Sequence, residues 1–263
     1  MKDDGLGDWR IQAVSRLAID LPAEFPGGPS HKAGTPVHQS TSIRNSENQL
    51  VGFVTPSATA SALSIAMKAS IQAKELYEKL VFDDVITPDG KGISVNFRNV
   101  GPLFDYFEYC MITVTFSFQA LETFCNRTIA DKVEGTYNLQ RRDGTKKTVA
   151  AIELEREAST EEKLATVLPA ILSMKTPKGK RVWQNFLKVK RARDSTIHLK
   201  SIDQYHHQYS TKDSGRDTLF YQFLNNEPTD FPKASIEMIK YFVSVKEIPR
   251  WLLHPLEFLG KER

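Results

Sequence analysis

The stretch from Lys180 to Asp203, KRVWQNFLKVKRARDSTIHLKSID, has the period of an amphipathic helix. On a helical wheel its apolar side chains share one face: Val182, Trp183, Phe186, Leu187, Val189 and Ile197. That face also carries Lys190, Arg193 and Asp194, with His198 at its edge. Charged side chains are rarely buried without a partner. The face therefore meets either the core of the chain, with its charges paired internally, or a partner molecule and a polar site.

The positive charge of the chain is concentrated around this helix. Residues 175–200 contain nine of the 35 Lys and Arg residues, but only one of the 32 acids, Asp194. The formal net charge of the whole chain is only +3. Such clustering indicates an anionic partner.

The overall composition is that of an ordinary globular protein. With 263 residues, 40% hydrophobic and 25% charged, the chain is long enough for one large domain, with or without an appendage. No apolar run reaches the roughly 20 residues that span a bilayer, and the start MKDDGLGDW lacks the apolar core of a signal peptide. We therefore expect a cytoplasmic protein with no membrane partner. Cys110 and Cys125 lie about 22 Å apart on one predicted helix, which predicts two buried thiols and no disulfide.

Residues 1–55 are predicted to form a β-rich N-terminal appendage. Apolar residues alternate with polar ones from Trp9 to Leu21, which is typical of a half-buried strand, and QLVGFVT suggests a second strand after a Pro/Gly-rich loop. Residues 56–263 are predicted as a helical domain. A β-hairpin insertion is expected near residues 136–156, because Asp143-Gly144 lies between TYNLQ and TVAAIEL.

The predicted fold class is mainly α, a bundle of four to five helices with the small β-rich appendage. Helices are expected near residues 57–82, 102–133, 160–174, 180–203 and 232–245, with a short one from Thr218 to Asn225 and strands confined to residues 9–55 and 136–155. Ser159 and Glu162 form a capping-box pattern before the third helix. Pro169 should kink that helix.

Several common enzyme signatures are absent from the sequence: GxSxG, GxxxxGK[ST], GxGxxG, HExxH and CxxC. The adjacent His206 and His207 point in different directions on any regular element and have no Cys or acid cluster beside them, which favours a solvated loop over a metal site. The remaining candidate is RDSTIH, with Arg193 and His198 at its ends. The alternative is a purely structural role, in which Arg193 forms an ion pair and His198 lies at the boundary between core and surface.

At the end of a basic amphipathic helix, RDSTIH resembles the hallmark of the HEPN superfamily: an Arg, a polar residue, three to five further residues and a His. ALETFCNRTI, residues 120–129, is similar to an earlier core helix of bacterial HEPN-type proteins. The resemblance covers roughly residues 56–245 and implies a compact HEPN-like helical bundle. Catalytic members are RNases. The resemblance therefore implies a metal-independent endoribonuclease that acts as a homodimer and leaves a 2′,3′-cyclic phosphate, in a toxin–antitoxin or phage-defence system.

The resemblance assigns Arg193 and His198 as the catalytic residues. RNA carries its own nucleophile, the 2′-OH, so cleavage needs a base such as His198 and a cation such as Arg193 on the phosphate. Asp194 would orient His198 or pair with a neighbouring Arg. Lys190 and Arg191 are predicted either to bind RNA phosphates or to be ordinary solvent-exposed cations on the helix surface. No cofactor and no metal are expected.

The expected partners are RNA, a second copy of the chain, and an antitoxin or defence-system component. The apolar stripe of Trp183, Phe186, Leu187 and Ile197 is expected to meet the second copy, at least in part. Two other functions stay open: a non-catalytic HEPN-like module that binds RNA or protein, and a purely structural dimerisation domain.

Overall fold

The computed structural model describes residues 6–23, 29–87, 90–96, 98, 100–140, 144–199, 203, 218–245 and 248–260. The helices of this part are α1 (Ala58–Tyr77), α2 (Val100–Lys132), α3 (Ala151–Glu157), α4 (Thr160–Glu162, Lys163–Val167 and Leu168–Ile171 in succession), α5 (Arg181–Ile197), α6 (Leu219–Leu224), α7 (Asp230–Phe242) and α8 (Arg250–Gly260). The strands are β1 (Val14–Arg16), β2 (Pro36–His38), β3 (Ser40–Arg44), β4 (Leu50–Val54), β5 (Phe82–Thr87), β6 (Gly90–Val95), β7 (Thr136–Gln140) and β8 (Lys146–Ala150).

The core lies between the long helices. α1 packs along α2, and α5 and α7 pack against α2 and against each other. The side chains that fill this core are almost all apolar, among them Leu63, Val114, Leu121, Phe186, Ile236 and Ile239. Burial of such side chains contributes about 1.5–3 kcal/mol each, so this packing determines how α5 is oriented.

The predicted fold class, a mainly α HEPN-like bundle of four to five helices with one small β-rich appendage, is wrong. The described residues form an α/β mix of eight helices and four separate two-stranded antiparallel sheets. Strands are not confined to residues 9–55 and 136–155, because β5 and β6 form a hairpin between α1 and α2. No strand was predicted at residues 82–95, because the apolar and polar residues of FDDVIT and GKGISV alternate only briefly.

The N-terminal region is β-rich, as predicted, but its strands are short. β1 contains three residues and pairs with β2, and β3 pairs separately with β4. The predicted hairpin near residues 136–156 is present in a shorter form: β7 pairs with β8 in a sheet of its own. Residues 151–157, which were expected to continue the second strand, form α3 instead. Leu139 and Val149 of that hairpin are buried in the core, which is why the insertion is anchored to the helices.

The five long helices predicted from the sequence are present, with shifted ends, and so is the short helix near residues 218–225. α8 was not predicted, because it begins after Pro249 and contains Pro255. Cys110 and Cys125 are both buried on α2 and unpaired, as predicted. Burial raises the pKa of the Cys110 thiol to about 12. None of the described helices combines the length and apolar character needed to cross a bilayer.

Pro169 disturbs α4 in a specific way. The predicted capping box is present, since the Ser159 hydroxyl accepts a hydrogen bond from the Glu162 N–H at 3.2 Å. Proline has no N–H for the carbonyl four residues before it, which belongs to Ala165. The turn Lys163–Val167 is π-helical, and the Thr176 hydroxyl donates to the Ala165 carbonyl at 2.9 Å. The Thr176 hydroxyl therefore supplies the hydrogen bond that Pro169 cannot give to the Ala165 carbonyl.

Candidate functional site

The apolar face of α5 is covered by the chain itself. Trp183, Phe186, Val189 and Ala192 are buried. The Phe186 ring lies 5.0 Å from the Trp183 ring and 6.4 Å from the ring of Phe118 on α2, measured between centroids. Trp183 and Phe186 are thus covered within one subunit, so only the Leu187 and Ile197 part of the predicted stripe is left for a second copy. Within that stripe Leu187 is half-buried, and Ile197 is 48% exposed.

Arg193 is held on the core side of α5. Its guanidinium carbon lies 4.8 Å from the centre of the Phe118 ring, a cation–π arrangement. Its Nη1 donates to Oδ1 of Asp194 at 3.1 Å, and 31% of its side chain is exposed to solvent. A guanidinium has further N–H donors beyond the one used here. Arg193 is thus oriented by two neighbours and keeps donors for an anionic ligand.

Asp194 joins two cations. Its Oδ2 lies 3.6 Å from Nζ of Lys190, which lies 3.4 Å from Oε2 of Glu161 on α4. The four side chains form a cluster of two cations and two carboxylates, with no formal net charge. Partly exposed pairs of this kind contribute about 0.2–1 kcal/mol each. Of the two roles proposed for Asp194, the structure shows the pairing with Arg193. Lys190 is an ion-paired side chain in this subunit.

His198 ends α5. Its backbone N–H donates to the Asp194 carbonyl at 3.0 Å, and its side chain is exposed. Five residues of helix turn by about 140°, so Arg193 and His198 leave α5 in different directions. Arg193 faces α2, whereas His198 stands at the solvent end of the helix between Ile197 and Leu199, each 48% exposed. We therefore expect that one subunit by itself does not bring both side chains to one phosphate.

The opposite side of α5 carries exposed cations, here called the basic outer face: Arg181, Lys188 and Arg191. Arg181 and Lys188 are seven residues apart and so lie nearly on one line of the helix. Nε of Arg191 donates to the Leu187 carbonyl at 3.3 Å. Within the described part of the chain none of the three cations forms an ion pair. Sequence reasoning singled out Arg191 but missed Arg181 and Lys188, which their seven-residue spacing could have revealed.

Two lysines extend the basic outer face before the helix begins. Lys180 donates to the Tyr241 hydroxyl at 2.9 Å, and its Nζ lies 4.6 Å from the centre of that ring. Nζ of Lys178 lies 5.9 Å from the Trp183 ring. Both side chains are exposed and lie near aromatic rings, and neither forms an ion pair with a described residue, so their charge contributes to the positive surface.

The described residues include no group of three or more His, Cys, Asp or Glu side chains arranged to hold a metal ion. His206 and His207 lie outside the described residues. No protein-family model, curated protein or solved structure matches the chain significantly. The resemblance to the HEPN superfamily therefore stands on RDSTIH and ALETFCNRTI alone.

Proposed function

We propose that the chain is a metal-independent endoribonuclease of HEPN type, which acts as a homodimer and leaves a 2′,3′-cyclic phosphate. The observation that carries this proposal is the end of α5. There an arginine is oriented by an aromatic ring and a carboxylate, and an exposed histidine follows five residues later. Both residues belong to a helix whose outer face carries cations that form no ion pair with any described residue. A place in a toxin–antitoxin or phage-defence system is part of the proposal and follows from the resemblance.

Each side chain has a defined task in the reaction. His198 accepts the proton of the 2′-OH, and the freed 2′-oxygen attacks the neighbouring phosphorus. The bond from phosphorus to the 5′-oxygen then breaks, and that oxygen takes up a proton as it leaves. Arg193 donates hydrogen bonds to the phosphate oxygens on which negative charge grows. Phe118 and Asp194 already restrict the guanidinium, so less conformational freedom is lost when it binds.

A second copy completes the site. Because Arg193 and His198 point about 140° apart, a productive pair needs Arg193 from one copy and His198 from the other. Ile197 and Leu199 flank His198 with exposed apolar surface, which a two-fold contact at this end of α5 would cover. The basic outer face then leads the RNA backbone toward the shared cleft through phosphate contacts.

The test uses the full-length chain with end-labelled RNA in the presence of EDTA. We expect cleavage with cyclic phosphate ends, and loss of cleavage in His198→Ala and Arg193→Ala. Arg193→Lys should not rescue it, because an ammonium lacks the planar fork. A substrate with hydrogen in place of the 2′-OH at the cut should stay intact. His31→Ala is the matched control: it removes an exposed histidine in the N-terminal region, far from His198 in the sequence, and should retain activity.

Mixing the two inactive variants tests the shared site. Half of randomly formed dimers combine His198→Ala with Arg193→Ala, and each has one intact pair, so about a quarter of wild-type activity should return. Sedimentation of the wild type should show a dimer at micromolar concentration. Cleavage by His198→Ala, a strict magnesium requirement, or no recovery on mixing would refute the proposed mechanism.

One observation favours a second function, a non-catalytic RNA-binding module. Arg193 and Lys190 are engaged with Asp194 and Glu161 in a neutral cluster, whereas the basic outer face does not depend on that cluster. RNA binding that is weakened by substitutions in the basic outer face, in the absence of any cleavage, would establish this second function instead.

A further inference from the structure

The segment from Leu6 to Gln12 is fixed against the helical part of the chain. Arg250 of α8 donates to the carbonyls of Gly7 and Asp8, at 2.6 and 2.9 Å. At the other end of the segment the Ser57 N–H donates to the Arg10 carbonyl at 2.7 Å. These bonds place Trp9 beside α1 and α8, so this N-terminal segment covers part of the surface of these two helices.

A cavity of about 410 Å³ opens at this junction, within the range of about 300–1,000 Å³ that is typical of small-molecule pockets. Its aromatic walls are Trp9, His254 and Phe258. The Trp9 and His254 rings are stacked, with centroids 4.6 Å apart and planes 11° from parallel. Met67 and Ile71 of α1 complete the apolar lining. Walls of this kind accept a flat aromatic ring.

The polar groups of the cavity are mainly basic. Arg10 and Lys68 line it, and none of the described residues that line it is acidic. Arg10 donates through Nε and Nη2 to the carboxylate of Asp8, at 2.9 and 2.6 Å, and this contact lowers the pKa of Asp8 to about 2. Lys68 is exposed and has no ion pair within the described part of the chain. Asp8 offsets the charge of Arg10, so the positive charge near the cavity comes from Lys68 and from Arg250, which binds the Asp8 carbonyl outside the lining.

We propose that this cavity binds a purine mononucleotide, with the base among Trp9, His254 and Phe258 and the phosphate at Arg10 and Lys68. Lys68, together with Nη1 of Arg10, which does not contact Asp8, can donate to a phosphate monoester, which carries a charge of about −1.5 to −2. The aromatic walls match a nucleobase, because every base has a flat face that stacks on such rings, and the fused rings of a purine offer the larger stacking area. This binding site is separate from the end of α5 and does not depend on ribonuclease activity.

The test is calorimetric titration of the full-length wild type with adenosine 5′-monophosphate. We expect a Kd below about 1 mM. Adenosine and inorganic phosphate should each bind at least about tenfold more weakly, because each lacks one half of the recognition. Lys68→Ala should weaken nucleotide binding about tenfold through loss of a charge-assisted hydrogen bond. Ile71→Trp should abolish it by filling the cavity.

The control variant Lys79→Ala removes another exposed lysine, which lies just beyond the end of α1 and outside the cavity, and should bind like wild type. Circular dichroism of each variant checks that the fold is retained. Three results would overturn the proposal: no binding at about 5 mM nucleotide, equal binding by wild type, Lys68→Ala and Ile71→Trp, or equal affinity for phosphate and nucleotide. RNA cleavage is measured separately, so failure here leaves the ribonuclease proposal standing.

Discussion

Asp194→Asn should strengthen RNA binding rather than weaken it. In the folded chain the Asp194 carboxylate lies 3.1 Å from Arg193 and 3.6 Å from Lys190, and so neutralises part of the charge of both cations. The amide of asparagine can still accept a hydrogen bond from Arg193 but carries no charge. The substitution therefore frees cationic charge with little change in shape.

The magnitude follows from the number of cations released. Each phosphate that a protein neutralises on single-stranded nucleic acid contributes about −0.7 to the slope of log K against log salt concentration. Freeing Arg193 and Lys190 for phosphate contacts should steepen that slope by about 0.7 to 1.4, with tighter binding at low salt. Glu161 continues to pair with Lys190, at 3.4 Å, which favours the lower end of this range.

The measurement is fluorescence anisotropy with labelled single-stranded RNA over a series of salt concentrations. Both proteins carry His198→Ala, so that the RNA stays intact during the titration. Glu108→Gln is the matched control, because Glu108 is an exposed acid on α2 whose loss changes the net charge equally. That control should leave the slope unchanged. A slope that stays the same or becomes flatter in Asp194→Asn would refute the idea that Asp194 masks these cations.

Three further predictions concern stability. Arg193→Ala should lower the free energy of unfolding by about 1–3 kcal/mol, because it removes the Phe118 contact and an ion pair. His198→Ala should change that free energy by less than about 0.5 kcal/mol, because its side chain is exposed. Equal losses in urea unfolding would contradict a packed Arg193 and an exposed His198. Thr176→Val should cost about 1–3 kcal/mol by leaving the Ala165 carbonyl unpaired, and less when Pro169→Ala supplies a backbone N–H. A double-mutant cycle that shows no coupling between Thr176→Val and Pro169→Ala would argue that Thr176 does not replace the missing proline N–H at the Ala165 carbonyl. Burial lowers the pKa of Lys163 from 10.5, so the unfolded chain binds that proton more readily, and wild type should gain stability relative to Lys163→Met as pH rises from about 7 to about 10. A stability difference that is constant over this range would contradict the burial of that charge.

Local sequence patterns predicted the elements whose stability depends on neighbours along the chain. The 3.6-residue period located the long helices, Ser159 and Glu162 predicted the start of α4, and Asp143-Gly144 predicted the β7–β8 hairpin. Those patterns work because capping bonds, turns and amphipathic faces involve residues only a few positions apart.

The same patterns failed for β5–β6, α8 and the fold class. Two short strands form a hairpin only when their residues pair in one register across the turn. Their alternation of apolar and polar residues is too brief to distinguish a strand from a loop in the sequence. Pro249 and Pro255 hid α8, although proline is acceptable at a helix start and, with tertiary support, inside one. The fold class was missed because it depends on how many short hairpins pair, and local patterns do not determine that pairing.

At the candidate site the sequence by itself determined the residue types, their order on one helix and the angle of about 140° between Arg193 and His198, because these depend only on helical geometry. The tertiary structure decided which groups those side chains meet. Phe118 beneath Arg193 and Glu161 beside Lys190 come from other helices, and their positions result from core packing that no local pattern encodes. The same packing covers Trp183 and Phe186 within one subunit and leaves Ile197 and His198 exposed, since burial is a property of the whole arrangement of helices.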